Sequence, residues 1–151
     1  MLLKDQITDD MKTAMRAKDT QRLGTIRLLL AAVKQKEVDE RIMLDDIAVI
    51  AIVDKLIKQR KDSIDAFTKA ARMDLADIES AELLVLNTYL PVRLSADAVL
   101  AEVRTIVAEL GASGPGDMGK VMAAAKAKLA GQADMGQISS SVKTVLASLA
   151  D

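Results

Sequence analysis

Apolar residues recur at intervals of three and four along most of this chain, and this spacing limits the possible folds more than any other feature. Near the N-terminus Leu3, Ile7, Met11, Ala14 and Met15 follow it. Because an α-helix makes one turn in about 3.6 residues, positions with this spacing form one apolar stripe along a helix. No segment shows the sustained apolar–polar alternation that is typical of strands. The sequence therefore predicts an all-α fold.

The side chains available for a core are almost all aliphatic. Half of the 151 residues are hydrophobic, yet the chain has one phenylalanine, one tyrosine and no tryptophan, together with eight methionines. Leucine, isoleucine, valine and alanine give well-defined packing between helices, and methionine fills irregular gaps. The composition therefore favours helical bundles over a fold that depends on large aromatic side chains.

Seven helices are expected, in two groups. The first group is an N-terminal helical domain of about four helices over 1–90, with helices near 2–18, 20–38, 45–71 and 75–88. The second is a compact three-helix C-terminal domain over 95–151, with helices near 95–110, 117–129 and 134–149. The bond Leu90–Pro91 predicts the end of the first domain, because a residue before proline disfavours the helical conformation. Residues 91–94 are the expected linker.

Single residues predict where several helices begin and end. Ser95 is the expected N-cap of the fifth helix, and Gly111 and Gly131 are expected left-handed residues after the fifth and sixth. The apolar spacing also assigns residues to buried faces near the helix ends. These assignments include Met15, Ile47, Ile78, Leu110 and Leu149.

Two missing residue types exclude several kinds of chemistry. The chain has no cysteine and no histidine, which excludes disulfides, thiolate or imidazole catalysis and the usual zinc ligands. Lys and Arg number 21 against 22 Asp and Glu, so no large excess of charge favours a polyanionic partner. The N-terminus lacks the apolar core of a signal peptide, and the apolar runs are short. We expect a cytoplasmic protein of bacterial type without cofactor, metal or membrane partner.

Two patterns are compatible with catalysis, and each has a simpler explanation. Ser139–Ser141 with Lys143 could form a serine–lysine pair or the solvated face of a helix. Glu79 with Glu82, like Asp5 with Asp9, could hold Mg²⁺ through waters or be surface charge. We assign no catalytic and no metal-binding residue.

A basic cluster interrupts the apolar stripe of the third helix. The cluster lies in the segment "KLIKQRK", residues 55–61. Along this part of the helix the apolar stripe passes from Val53 through Ile57 to Ile64 and omits the turn that contains Arg60 and Lys61. Either these long side chains pair with acidic residues on a neighbouring helix, or they bind phosphates or an acidic partner. The candidate partner-binding residues, including one on the second helix, are Arg27, Lys58, Arg60 and Lys61.

The sequence Asp-Met-Gly occurs twice, at Asp117 and at Asp134, each time at a predicted helix start. At both sites the aspartate is expected to cap the helix, and the glycines at Gly119 and Gly136 leave the first turn without a side chain. This pattern is explained by two capped helices that approach a neighbour closely. It is also compatible with an RNA-binding surface, because helix N-termini favour anions.

Several segments, taken in order, resemble the GatB/YqeY family. They are "LGTIRLLLAAVKQKEV", "QRKDSIDAF", "TYLP", "DMGKVM" and "KLAGQAD", and the resemblance covers essentially the whole chain. Members of this family are similar in sequence to the C-terminal tail of the B subunit of the glutamine-dependent aspartyl/glutamyl-tRNA amidotransferase. The family label is a carbon–nitrogen ligase with glutamine as amide donor, but no counterpart of the catalytic part is present.

The resemblance implies that the C-terminal domain binds tRNA. Gly119, Lys120, Gly131, Ala133 and Asp134 match motif positions of the family. The chain departs from the family pattern at Gln132 and Gln137, where basic residues are usual, and at Ala123 and Ala127, where a glycine and a proline are usual. The candidate RNA-binding residues are Gly119, Lys120, Lys126, Lys128, Gly131, Ala133, Asp134, Gly136 and Lys143.

We therefore expect a non-catalytic accessory protein that binds tRNA. A tRNA-charging or amidotransferase component is the expected second partner. Because two phosphate contacts are missing, binding should be weak and dependent on salt. The alternative is a protein–protein interaction module that uses the N-terminal helical domain.

Overall fold

The computed structural model describes residues 1–149, and in that part the chain is all-helical without strands, which confirms the predicted fold class. No described helix combines the length and the apolar character needed to cross a membrane. The last two positions of the predicted C-terminal domain, 150 and 151, lie outside the described residues. The helices are α1 (Leu3–Arg16), α2 (Thr20–Glu40), α3 (Asp46–Lys69), α4 (Met73–Asn87), α5 (Ala96–Leu110), α6 (Met118–Leu129) and α7 (Met135–Leu149).

Short polar side chains begin several of these helices. The carboxylate of Asp19 accepts the Arg22 N–H at the start of α2, and that of Asp45 accepts the Ala48 N–H at the start of α3. The hydroxyl of Ser95 accepts the N–H of Ala98, so the predicted cap of α5 is confirmed. Each contact satisfies a backbone donor that has no partner within the helix.

The helices form two compact units. The first, Met1–Leu90, contains α1 to α4, and the second begins at Pro91 and contains α5 to α7. The two aliphatic cores have separate sets of members. The first includes Ile7, Ile26, Leu29, Val33, Val49, Val53, Ile57 and Leu86. The second includes Val99, Val103, Ile106, Val121, Leu129, Ile138, Val142 and Leu146.

Five residues assigned to buried faces from their spacing are exposed instead, and those assignments were wrong. Exposure ranges from 39% to 53% for Met15, Ile47, Ile78, Leu110 and Leu149. Four of them lie at the first or last turn of their helix, where a neighbouring helix no longer covers the stripe. Apolar spacing identifies the face of a helix, but it does not indicate how far along that face a neighbour extends.

A single carboxylate joins three parts of the first unit. One oxygen of Glu37, near the end of α2, accepts the ammonium of Lys4 in α1 and the backbone N–H of Leu44 before α3, both at 2.8 Å. These two hydrogen bonds hold the pKa of Glu37 below its ordinary value, the bond from Lys4 first. Nearby, the Leu3 N–H donates to Asp46 at 2.8 Å. The C-terminal end of α2 is therefore held in place by α1 and by the turn into α3.

At another point of the first unit, the only tyrosine ties the segment after α4 to α1. Tyr89 is 5% exposed, and its hydroxyl donates a hydrogen bond of 2.7 Å to the carboxylate of Asp10. Burial, followed by this bond, raises the pKa of Tyr89. The tyrosine is therefore more difficult to ionise in the folded protein than in the unfolded chain.

We predict that Tyr89→Phe lowers the free energy of unfolding by about 1–2 kcal/mol, because it removes a buried hydrogen bond to a charged group. The raised pKa adds a dependence on pH. Its contribution to stability is complete below the unfolded value of about 10 and is lost as pH rises through the folded value. Denaturant unfolding at pH 8 to 11 should therefore show the difference between wild type and variant shrinking above about pH 10. A constant difference would contradict this account.

Candidate nucleic-acid interface

The second Asp-Met-Gly sequence forms the predicted helix cap. The carboxylate of Asp134 accepts the backbone N–H of Gln137, the third residue of α7, at 2.9 Å. A Cβ at Gly136 would lie 3.1 Å from that carboxylate oxygen. The glycine therefore leaves room for the cap, and the motif at this site has an explanation within the fold.

The first Asp-Met-Gly sequence forms a different structure: Asp117 directly precedes α6, as predicted, but the predicted cap bond from its carboxylate was wrong. Its carboxylate makes no cap bond to α6; one oxygen accepts the N–H of Ser113 at 2.8 Å and its hydroxyl at 3.4 Å. Asp117 lies in a 3₁₀ turn, Pro115–Asp117, that leads into α6. The hydrogen bond from the Ser113 backbone lowers the pKa of Asp117. The two motifs therefore share a sequence but not a structure.

Both helix starts carry a carboxylate, which weakens the case for anion binding there. Asp134 occupies a donor at the start of α7, and Asp117 lies in the turn that leads into α6. A negative charge at a helix N-terminus repels a phosphate that the backbone donors would otherwise attract. Gly119 remains open, because a Cβ there would meet no other atom within 4 Å.

Two of the four candidate lysines are engaged within the unit. The ammonium of Lys128 lies 3.0 Å from Glu102 on α5, and this hydrogen-bonded pair raises the pKa of Lys128. The ammonium of Lys120 donates to the Leu110 carbonyl at 3.4 Å and lies 3.7 Å from Asp117. These contacts place both lysines on the side of α6 that faces α5, where acidic groups offset their charge.

The other two lysines are available to a ligand. Lys126 and Lys143 are exposed, and neither makes an ion pair with a described residue. Lys126 is two residues from Lys128, so the two side chains point about 200° apart around α6. Of the four candidate lysines, Lys126 and Lys143 are therefore the two whose charge is not offset by a contact within the unit.

The segment after α6 is structural. Gly131 has a φ of +76°, in the left-handed region that glycine tolerates, and Ala133 is only 4% exposed. The Gln132 carbonyl accepts the N–H of Leu94 at 2.9 Å. The side chain of Ala133 lies in the core and is not available for the RNA contact that the resemblance implies.

The patterns compatible with catalysis are not assembled into a site. Ser141 is 7% exposed whereas Lys143 is exposed, and two residues of separation direct their side chains to opposite sides of α7. In the described part of the chain, no three acidic side chains come together as metal ligands.

The residues of the basic cluster of α3 differ in their surroundings: Arg60 is ion-paired to a neighbouring helix, whereas Lys58 and Lys61 are exposed. The Arg60 guanidinium lies 3.1 Å from Glu82 and 3.8 Å from Glu79, both on α4, and its side chain is 14% exposed. The interpretation as an ion pair to a neighbouring helix is therefore confirmed for Arg60. Among the remaining candidates, Arg27, Lys58 and Lys61 are exposed, and none is ion-paired to a described residue.

The chain matches a family model described as a Yqey-like protein over residues 4–146. It is also similar to curated proteins named "Altered inheritance of mitochondria protein 41, mitochondrial". The protein from Lachancea thermotolerans is 43% identical over 110 residues, which cover 70% of this chain and 58% of the relative. The one from Kluyveromyces lactis is 42% identical over 113 residues, 72% of this chain and 60% of the relative. In both cases the chain spans less than two thirds of the relative's length.

These relatives correct one expectation from the sequence. They are named as mitochondrial proteins, as is a relative from Eremothecium gossypii that is 42% identical over 108 residues. The expected cytoplasmic location was therefore wrong. The short apolar runs and the polar N-terminus that suggested it carry no information about the compartment within a cell. None of these names supports the expected bacterial type.

We predict that Arg60→Ala lowers the free energy of unfolding by about 1–3 kcal/mol, because it leaves Glu79 and Glu82 close together without a cation. Lys61→Ala, one residue away but exposed, is the matched control and should change the value by less than about 0.5 kcal/mol. Urea denaturation measures both. Equal effects of the two substitutions would show that the α3–α4 ion pairs are unimportant.

The cap at Asp134 gives a second stability prediction. Asp134→Ala should cost about 1 kcal/mol in urea denaturation, whereas Asp134→Asn, which still accepts the Gln137 N–H, should retain most of the stability. If alanine and asparagine gave the same value, the cap would not stabilise α7.

Proposed function

The chain belongs to the YqeY-like family, and on this premise we propose that it is a tRNA-binding accessory protein, itself non-catalytic, that assists tRNA-dependent amidation. The resemblance of its C-terminal part to the tail of an amidotransferase B subunit supports tRNA as the ligand. The proposal assigns binding to the unit formed by α5, α6 and α7. Its further partner would be an amidotransferase or a tRNA-charging component.

The observation that carries the proposal is the pair of uncompensated lysines in this unit. Lys126 and Lys143 are exposed and form no ion pair with a described residue, whereas Lys128 is neutralised by Glu102. An exposed ammonium without a partner can exchange its counterion for a phosphate at little electrostatic cost.

The proposed binding depends on phosphates and shape. Tyr89 is buried and Phe67 is half-buried, and both belong to the first unit. The second unit therefore has no aromatic side chain on which an unpaired base could stack. A protein of this kind distinguishes a folded RNA by its shape and by the positions of its phosphates.

The structure also supports weak binding. Gln132 and Gln137 replace basic residues usual in the family, and Lys120 and Lys128 are partly neutralised by contacts within the unit. Few cations remain to release counterions, so the dependence of affinity on salt should be shallow.

The test is a titration of the full chain with folded bulk tRNA and with unstructured RNA of equal length at two salt concentrations. Folded tRNA should bind more tightly than the unstructured RNA at both salt concentrations. The double variant Lys126→Ala/Lys143→Ala should weaken binding and reduce the slope of log affinity against log salt by about two, since each phosphate contact contributes about one.

Two double variants serve as controls in the same titration. Lys12→Ala/Lys55→Ala removes two exposed lysines from the first unit and should leave the affinity for tRNA unchanged. Lys120→Ala/Lys128→Ala should weaken binding less than the loss of Lys126 and Lys143. Equal affinity for the two RNAs, or an unchanged salt slope without Lys126 and Lys143, would contradict the proposal.

A further inference from the structure

An apolar stripe that no part of the first unit covers runs along the outer face of α2. Leu28 is 52% exposed, Val38 is 61% exposed and Ile42, in the turn after the helix, is 50% exposed. Ala31 and Gln35, both exposed, lie between them at intervals of three and four. We call Leu28, Ala31, Val38 and Ile42 the α2 stripe.

The α2 stripe is not needed for the core of its own unit. The opposite face of α2 supplies the buried residues Ile26, Leu29 and Val33. The helix thus has apolar side chains on two faces, and the unit buries one of them. A helix that is apolar on both sides is usually buried on both, and exposed apolar surface of this kind marks an interaction site.

Three cations lie along one edge of the α2 stripe. Arg27, Lys34 and Arg41 are seven residues apart in the sequence. Arg27 and Lys34 lie about 10 Å apart on one side of α2, and Arg41 is the left-handed residue directly after the helix. All three are exposed, and none makes an ion pair with a described residue. This edge of the α2 stripe therefore presents positive charge without a close ion pair; Glu37, which interacts with Lys34 at longer range, is itself bound to Lys4 and to the Leu44 N–H.

The C-terminal end of the α2 stripe contains a shallow cavity of about 360 Å³, lined by Lys34, Glu37, Val38, Arg41, Ile42 and Met43. Glu37 is already bound to Lys4 and to the Leu44 N–H, so the charge left at the cavity is that of Lys34 and Arg41. The same bonds hold this end of α2 in place. The cavity thus brings Val38 and Ile42 together with two cations at one end of the stripe.

We propose that the α2 stripe binds an α-helix of a partner protein whose own apolar residues repeat at intervals of three and four and are flanked by acidic residues. The apolar side chains would pack against Leu28, Val38 and Ile42. The flanking carboxylates would pair with the three cations, as charged flanking residues do in coiled coils.

The charges and the apolar surface together favour this partner over others. A second copy packed antiparallel on the same stripe would bring its cations against Arg27, Lys34 and Arg41, which is unfavourable. An RNA would contact the cations but would leave Leu28, Val38 and Ile42 exposed. This site lies in the first unit and is independent of the proposed tRNA surface on the second.

A pair of synthetic peptides tests the proposal with the full chain. Each has three heptads with leucine at the two core positions; one has glutamate at the flanking positions and the other has lysine there. In fluorescence anisotropy the glutamate peptide should bind at least about tenfold more tightly, because it forms ion pairs with the three cations whereas the lysine peptide is repelled by them. Equal affinity for the two peptides, or no binding of either, would overturn the proposal.

Substitutions on the surface of α2 should alter this preference without unfolding the protein. Arg27→Glu/Lys34→Glu/Arg41→Glu should reverse it, and Leu28→Asp/Val38→Asp should weaken both peptides at least about tenfold. The matched control Lys12→Glu/Arg16→Glu/Lys18→Glu changes as many exposed cations on and directly after α1 and should retain the preference. Circular dichroism confirms that each variant is folded. A similar change in the control would mean that only net charge matters, and the proposal would fail.

The other possible occupants are measured with the same variants. The chain could instead bind folded tRNA or vesicles containing phosphatidylserine through these cations and fail to discriminate between the peptides. If the charge reversal at Arg27, Lys34 and Arg41 then abolished that binding, the surface would be assigned to RNA or to lipid, and the proposal would be overturned. Sedimentation of the free chain should show no dimer that Val38→Asp disrupts. Such a dimer would assign the α2 stripe to a second copy.

Discussion

Both units of this protein are held together by narrow stripes of aliphatic side chains, and the remaining features depend on this constraint. The cores contain leucine, isoleucine, valine and alanine, with Tyr89 as the one buried aromatic residue. Because each helix buries one face, the other faces stay exposed, and they carry the charged residues.

The charged residues separate into those that the fold uses and those that it leaves unused. Lys4 with Glu37, Arg60 with Glu79 and Glu82, and Lys128 with Glu102 join one helix to another. Two other groups have no ion-pair partner in the described chain: Lys126 and Lys143 in the second unit, and Arg27, Lys34 and Arg41 beside the α2 stripe. From the exposed cations that form no ion pair, we assign binding to these two groups. The proposed tRNA surface and the proposed helix-binding surface thus follow from the same argument applied to the two units.

Much of this structure could be predicted from the sequence, and the failures have physical causes. Periodicity identified all seven helices, and the interruption of the α3 stripe at Arg60 correctly indicated a cation near a neighbouring helix. The two Asp-Met-Gly sequences were indistinguishable, because the outcome at Asp117 depends on Ser113 and on the turn at Pro115, not on the motif itself. Of the binding candidates, Ala133 is removed by burial and Arg60 by its ion pairs. The α2 stripe had a signal that was overlooked: Leu28, Leu29 and Leu30 are consecutive and together span about 200° around the helix, which is wider than the face that a helix usually buries.

The central claim is that RNA binds the second unit through its uncompensated lysines, and it is tested most directly by nuclear magnetic resonance of the isotope-labelled full chain. Folded tRNA would be added in steps while every backbone amide is followed. The account predicts shifts concentrated in α6 and α7 around Lys126 and Lys143, with the amides of α2 unchanged. Shifts concentrated on α2, or an unperturbed second unit at saturating tRNA, would contradict it.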